Sequence, residues 1–338
     1  MHAAVDTAAP DLWPHRWAVA LVCATFPLIW VGGLVTSYDA GMAVPDWPNT
    51  YGYNLFLYPW QTWLYGPWGL FIEHGHRLLG ATVGMLAIGL VTAAWWYRSS
   101  KLARWLSVAA LAGVILQGAL GGMRVMADEV QLAKIHGCVG PAFFALAVAV
   151  AVVTSRQWRE GRVENRQALG AVERYAVITT LLAYCQLVIG AQLRHLPPGA
   201  SLGDFRLALV FHLAVAAALL AHVVLLAAAV WRTQSREWPL VRPALALVAL
   251  LLVQLGLGSG AWVTKYGWPS WLSDYGFAAG YTVTADSALQ AWITTAHVAT
   301  GSLILAASLL VALRSVRFAW HNVPSAHSAD SWLMEAAR

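Results

Sequence analysis

The residues best equipped for chemistry lie in the segment 71–80, where Glu73, His76 and Arg77 come just before a long apolar run. Glu73 and His76 are three residues apart, so on a helix they share one face about a turn apart. Ionisable groups inside a membrane helix are costly, and they usually face the bundle interior at a functional site. A carboxylate beside an imidazole suggests proton or cation chemistry there, or a cofactor with chemistry of its own.

Three further histidines occupy similar positions in later apolar runs. The complete set is His76, His136, His212 and His297. Each follows a predicted helix start by about 5 to 8 residues, a depth of roughly 8–12 Å at 1.5 Å per residue. Neutral imidazole is the commonest metal ligand, and two facing histidines can hold a haem iron from both sides. Zinc fits less well, because it needs three or four ligands in a tight cluster. Four histidines at one level therefore predict two haem sites.

The elements that must position these histidines are membrane helices. The chain has 338 residues, of which 59% are hydrophobic and only 11% are charged, which excludes an ordinary soluble domain. A membrane-spanning helix needs roughly 20 apolar residues. On this basis we predict an all-α integral membrane protein with eight transmembrane helices. The predicted spans are 17–37, 71–97, 105–126, 132–154, 173–193, 207–231, 243–263 and 289–313.

The distribution of basic residues predicts the orientation of the chain. Of the 21 Lys and Arg residues, 15 lie in the termini and in alternate loops on one side. By the positive-inside rule both termini are cytoplasmic. We predict two similar four-helix halves, 17–154 and 173–313. The N-terminus (1–16), a linker (155–172) and the tail (314–338) are then cytoplasmic.

A short motif repeats at the ends of three predicted helices, in which a glutamine is followed four residues later by a glycine. The pairs are Gln117 with Gly121, Gln186 with Gly190, and Gln254 with Gly258; the first helix ends in Gly32 and Gly33 without the glutamine. Small residues let a helix or a flat ligand approach the backbone closely. Close packing of helices explains the motif equally well, so both interpretations stay open.

The two halves differ around their first histidine. Three residues before it stands Glu73 in the N-terminal half and Leu209 in the C-terminal half. This difference predicts a reactive N-terminal pocket and a C-terminal pocket that only houses a haem. Arg77 and Arg124, with Lys134, are candidates to pair with haem propionates. Contact with lipid headgroups is an alternative role for these cations.

At this point the chain resembles the heme A synthase family over nearly all of residues 17–313. The resemblance is carried by residues 32–36, 41–48, 73–77 and 120–123, together with the positions of His212 and His297. It implies an oxidoreductase of cytochrome oxidase assembly, in which a ring methyl of heme O is oxidised to the formyl group of heme A. Many members have a cysteine pair near the motif at 45–48, which is absent here, so no thiol–disulfide role of that loop applies to this chain.

The resemblance also implies roles for individual residues. His76 and His136 would hold the substrate heme O, His212 and His297 would hold a resident haem b, and Glu73 would be the catalytic carboxylate. The implied location is the bacterial plasma (inner) membrane, which the chain crosses several times. Implied partners are heme O, heme O synthase, cytochrome oxidase subunits and membrane lipid, with no nucleic acid; self-association is left open.

Two other functions compete with this interpretation. A di-haem cytochrome that transfers electrons would hold both haems permanently, and Glu73 argues against it because simple electron passage needs no carboxylate. A haem carrier would have to release haem easily, which two pairs of histidine ligands oppose. A prenyltransferase that makes heme O would need Asp-rich diphosphate motifs, and the sequence contains none.

Overall fold

A computed structural model describes residues 12–161, 169–197 and 199–320, and within these ranges the regular structure is helical. The long helices are α1 (Trp13–Ser37), α3 (Trp68–Trp96), α4 (Lys101–Ala127), α5 (Val130–Thr154), α7 (Leu169–Arg194), α8 (Leu202–Gln234), α9 (Trp238–Tyr266) and α10 (Ala288–Trp320). Two short helices, α2 (Trp60–Leu64) and α6 (Arg156–Glu160), lie in connections. All eight long helices are long and apolar enough to cross a membrane. The predicted all-α integral membrane protein is confirmed.

The helices start earlier than the apolar runs that predicted them, and at the starts of α4, α5 and α8 a polar side chain caps the helix. α8 begins at Leu202 rather than at 207, since Ser201 and Asp204 form a reciprocal capping box. α4 begins at Lys101 rather than at 105, because the Ser100 hydroxyl accepts a hydrogen bond from the Ala103 N–H. The hydrophobic run locates the part of a helix inside the membrane, and for α4 and α8 the capping residue locates the helix start.

Two large, separate apolar cores lie among the described helices, besides a small cluster of Leu34, Val35, Ala40 and Ile72. One lies among α1, α3, α4 and α5 and includes Leu21, Leu90 and Ala147, and the other lies among α7 to α10 and includes Leu226 and Leu247. α10 packs against α1 and α5 as well as against α7 and α9, so it joins the two groups of helices. The predicted division into the halves 17–154 and 173–313 stays a prediction.

The connections at one end of the bundle are rich in exposed aromatic residues. Residues 38–67 join α1 to α3, and Tyr65 in this connection is 82% exposed. Residues 267–287 join α9 to α10, and Trp271 there is 74% exposed. Aromatic side chains of this kind are enriched at membrane–water interfaces. We call this end of the bundle the mouth and residues 38–58 the mouth loop.

Candidate functional site

The four histidines lie at the mouth end of their helices. His76 is in α3, His136 in α5, His212 in α8 and His297 in α10, each between the seventh and the eleventh residue of its helix. These helices all begin at the mouth. The histidines therefore share one level of the bundle, about 10–16 Å along their helices at 1.5 Å per residue, somewhat deeper than the shorter predicted helices implied.

The structure brings the histidines together in two pairs, one in each half. The ring centroids of His76 and His136 are 6.4 Å apart with an interplanar angle of 81°. Those of His212 and His297 are 6.3 Å apart with an angle of 58°. A metal ion bonded at about 2 Å to one nitrogen of each ring would sit between centroids roughly 6 Å apart. The pairs are therefore spaced as two imidazole ligands of one metal would be.

Each of these rings lies against a glycine on the preceding long helix. If each glycine carried a Cβ, that atom would lie very close to Cε1 of the histidine ring. The pairs and distances are Gly32 with His76 (2.7 Å), Gly121 with His136 (3.2 Å), Gly190 with His212 (3.3 Å), and Gly258 with His297 (3.0 Å). Real Cβ contacts are almost never under 3.0 Å and seldom under 3.4 Å. Glycine is therefore what lets each ring approach the helix backbone, and the repeated sequence motif has a ring beside it in every case.

The backbone one helical turn before the glycine is a second contact of the histidine ring in most of these pairs. In three cases the backbone of the residue four before the glycine faces the ring, namely Leu28 for His76, Gln117 for His136 and Gln254 for His297. Metal-ligating histidines commonly direct their second ring nitrogen towards a backbone carbonyl or carboxylate, which fixes the ring orientation. The close approach that glycine allows brings the ring near such a carbonyl.

The donor set fits a haem at both pairs. The Nδ1 atoms of His76, His136 and His297 are buried, with no hydrogen-bond partner among the described residues. Within the same ranges, no three His, Cys, Asp or Glu residues come together in a group that could hold a metal ion. Two imidazoles with little else around them suit a haem, because the porphyrin supplies the remaining ligands of the iron.

A buried carboxylate accompanies only the N-terminal pair. Glu73 is 4% exposed, and its Oε2 accepts a hydrogen bond of 2.7 Å from the Val44 N–H. Its Oε1 accepts one of 2.7 Å from Nη2 of Arg77. Arg77 also donates to the carbonyls of Val44, Asp46 and Asn49 over 2.6–2.8 Å. Glu73 and Arg77 together therefore fasten the mouth loop to α3.

The predicted propionate ligands both contact this loop. Besides Arg77, Arg124 donates from Nη2 to the Gly41 carbonyl at 2.7 Å, its one side-chain hydrogen bond within the described residues. Trp47 lies against α4 at Gly122, where a Cβ would come within 2.3 Å of the indole. The sequence did not reveal these contacts, because they depend on the path of the loop. The propionate role of the two arginines stays a prediction.

Two histidines outside the four-residue set have structural roles. His74 is 2% exposed, its Nδ1 lies 3.0 Å from the Thr50 hydroxyl, and its ring contacts Trp63 and Tyr58. It thus anchors the mouth loop. His222 has its Nδ1 2.9 Å from the carbonyl of Ala218, as expected of a hydrogen-bonded core histidine.

The mouth loop also has its own internal anchor. The carboxylate of Asp46 accepts hydrogen bonds of 2.8 Å from the backbone N–H groups of Tyr51 and Gly52. Partial burial raises the pKa of Asp46, but these hydrogen bonds and the charge of Arg77 outweigh it, so the net pKa is lowered. The carboxylate is therefore ionised at neutral pH and holds the turn.

Arg194 was not predicted as a site residue, yet it joins the two halves. Its Nη2 donates to the Gly33 carbonyl at 3.0 Å and to the Ser37 hydroxyl at 2.7 Å. The Ser37 hydroxyl lies 3.0 Å from the hydroxyl of Thr295 on α10. An arginine at the end of α7 thus connects α1, α7 and α10. Its position after an apolar run was the only signal in the sequence.

Three cations surround a partly buried histidine at the mouth. The pKa of His195 is lowered to about 4, chiefly by burial and then by nearby positive charges. These charges are on Arg194, Lys134 and Arg124. His195 is therefore neutral at pH 7, and three cations remain close to it. Such a region attracts anionic groups, carboxylates among them.

Comparisons with known proteins find similarity to a cytochrome oxidase assembly family and to proteins named Heme A synthase. Residues 68–208 match the model of a family described as Cytochrome oxidase assembly protein. A protein named Heme A synthase from Hyphomonas neptunium is 24% identical over 234 residues, which are 58% of this chain and 63% of that protein. One of the same name from Shouchella clausii is 28% identical over 244 residues, 66% of this chain and 77% of that protein.

These matches confirm the resemblance to the heme A synthase family. The segment matched by the family model includes His76 and His136 and ends before His212. The alignment spans less than two thirds of the length of the Hyphomonas protein.

Proposed function

Because the chain is similar to heme A synthases, we propose that it oxidises a ring methyl of heme O to the formyl group of heme A. In this proposal His76 and His136 hold the substrate iron, and His212 and His297 hold a resident haem b. The observation that carries the proposal is the asymmetry of the two histidine pairs. The pairs have similar spacing, yet a buried carboxylate lies three residues before the first histidine of only one of them.

Formation of the formyl group replaces two C–H bonds of the methyl by one C=O bond, which is a four-electron oxidation at a carbon on the porphyrin edge. The oxygen atom comes from water or dioxygen, and the electrons pass to an external acceptor. Positive charge develops at that carbon, and the Glu73 carboxylate stabilises it or accepts the proton. The Val44 N–H and the Arg77 guanidinium hold this carboxylate in a fixed orientation. Since Glu73 is only 4% exposed, the electrostatic effect exceeds its value in bulk solvent. Haem b between His212 and His297 supplies one-electron chemistry when bound.

The other charged residues bind and enclose the substrate. Arg124 makes one side-chain hydrogen bond to the described residues, which leaves donors for a propionate. Lys134 and Arg194 add positive charge near His195 at the same end of the bundle. Arg77 fastens the mouth loop to α3 beside the N-terminal pair, and we expect the loop to limit access of water. These residues therefore orient an anionic porphyrin with its propionates towards the mouth.

The proposed cellular setting follows from the same features. The eight apolar helices make this a multi-pass membrane protein. We place it in the bacterial plasma membrane with both termini cytoplasmic, which the distribution of Lys and Arg supports. Heme O synthase would supply the substrate, and cytochrome oxidase would receive the product.

The test of the catalytic proposal is Glu73→Gln, which keeps the shape of the side chain and removes its charge. We expect the variant to fold and to keep haem b, while heme A production falls by about 10²–10⁴-fold, the usual range for loss of an acid–base group. The measurement is chromatography of the haems extracted after incubation with heme O.

Glu129→Gln is the matched control. Glu129 is an exposed carboxylate at the start of α5, at the same end of the bundle, and its variant should make heme A at the normal rate. Near-normal heme A production by Glu73→Gln would show that Glu73 only fastens the loop, and the catalytic proposal would fall.

A further inference from the structure

Three glutamines share one register with respect to the histidines. Gln117, Gln186 and Gln254 each stand four residues before a glycine that contacts a histidine ring. On α1 the same register, four residues before Gly32, is occupied by Leu28. Of the four histidines, His76 is therefore the one whose neighbouring helix offers no amide side chain at this position.

The amides contact the histidines differently in the two halves. Nε2 of Gln186 lies 3.2 Å from both ring nitrogens of His212, and Nε2 of Gln254 lies 3.4 Å from Nε2 of His297. In the N-terminal half, Gln117 donates instead to the backbone carbonyl of His136 at 3.2 Å. Both rings of the C-terminal pair thus have a side-chain amide against them. In the N-terminal pair, neither ring contacts a side-chain amide from the residue four before its glycine.

Each of the three glutamines also has a buried side-chain oxygen without a partner among the described residues. These oxygens are the Oε1 atoms of Gln117, Gln186 and Gln254. A buried acceptor without a partner is costly, so it needs an explanation. A histidine that binds a metal through one nitrogen carries an N–H on the other, and a partner for that N–H fixes the ring. In the structure the amide Nε2 faces the rings of His212 and His297. Turning the amide by 180° puts Oε1 in its place, where it accepts from that N–H, and at His297 this adds to the nearby backbone of Gln254.

We propose that Gln186 and Gln254 are positioning residues that hold His212 and His297 as permanent haem ligands. The N-terminal pair, which lacks these amides, is the site from which haem exchanges. This inference rests on the proposed function, in which heme O enters one site and heme A leaves it while haem b stays in the other. The difference between a resident and an exchangeable site then lies in the chain's own side chains.

The experiment measures haem release rather than catalysis. In a His76→Ala background only the C-terminal pair is complete, and Gln186→Leu and Gln254→Leu are introduced there singly. Leucine is chosen because α1 carries it at this register. The rate of haem b transfer from the purified protein to excess apomyoglobin is followed by absorption. We expect each variant to release haem about 10–100-fold faster, the usual effect of removing a partner of a metal-ligating histidine.

The matched control is Gln117→Leu in the same background, which should release haem b at the rate of the background protein. Haem content is also measured by absorption of intact membranes, so that a variant unstable in detergent is still informative. If either C-terminal variant retains haem as firmly as the control, the proposal is wrong. Equal acceleration by Gln117→Leu would also overturn it, since the effect would then not distinguish the halves.

These outcomes are independent of the catalytic test. Haem b release does not require heme A formation, so the glutamine proposal can fail while Glu73→Gln abolishes activity. Conversely, normal activity of Glu73→Gln would remove the catalytic role of the carboxylate and leave the release rates unaffected.

Discussion

At the scale of single residues, the site depends on glycines as much as on histidines. The spacing of the histidines was readable from the sequence because each follows the start of an apolar run. The Gln–Gly motif was also visible, but helix packing explained it equally well. Only the three-dimensional contacts, such as that of Gly258 with His297, show that the motif faces the rings. A sequence pattern can mark a helix face without identifying what lies against it.

Gly258→Ala tests the contribution of this contact. The added Cβ would lie 3.0 Å from Cε1 of His297, which forces the ring to shift. Alanine in a helix is also more stable than glycine by roughly 0.5–1 kcal/mol, so the substitution should not lower the free energy of unfolding. We expect a several-fold loss of haem b affinity with a normal or raised Tm, measured by haem titration and thermal unfolding.

Gly256→Ala is the control on the same helix, because a Cβ there meets no atom within 4 Å. It should gain helix stability and bind haem b normally. Equal haem affinity in the two variants would show that the glycine contact does not position His297.

At the scale of elements, the eight helices were predictable and the mouth loop was not. Helices follow from long apolar runs, and each begins one to five residues before its predicted start, in some cases at a cap such as Ser201. The conformation of the loop depends on Arg77 donating to backbone carbonyls of Val44, Asp46 and Asn49. Any residue type presents a backbone carbonyl, so the sequence carries no signal for these partners.

Arg77→Ala should therefore loosen the mouth loop. It removes four hydrogen bonds and leaves the buried Glu73 carboxylate without its cation, a change that typically costs 3–5 kcal/mol when a buried pair is broken. We expect chymotrypsin to cleave faster after the exposed aromatic residues of the loop. Heme O binding should be weaker, and haem b should be retained. Limited proteolysis and haem analysis provide the measurements.

Arg206→Ala is the control, because Arg206 is an exposed arginine near the start of α8 and should leave the cleavage rate unchanged. An Arg77→Ala protein with normal protection of the loop would contradict the role assigned to Arg77.

At the scale of the whole molecule, two helix groups with separate cores carry one histidine pair each. From the histidines on alternate helices we predicted two halves, and that division stays a prediction. The sequence did not predict how the groups connect, because Arg194 and its partners Gly33 and Ser37 are far apart in the chain. Between membrane helices the hydrophobic effect contributes little, so hydrogen bonds of this kind act together with close packing.

The most direct test of the account is the identity of the haems that the purified protein holds. Protein made in cells that produce heme O is extracted, and the haems are separated by chromatography and quantified per chain. The account predicts haem b together with heme O or heme A, at close to one equivalent of each. Two equivalents of haem b, with neither heme O nor heme A, would contradict it and identify the chain as a di-haem cytochrome.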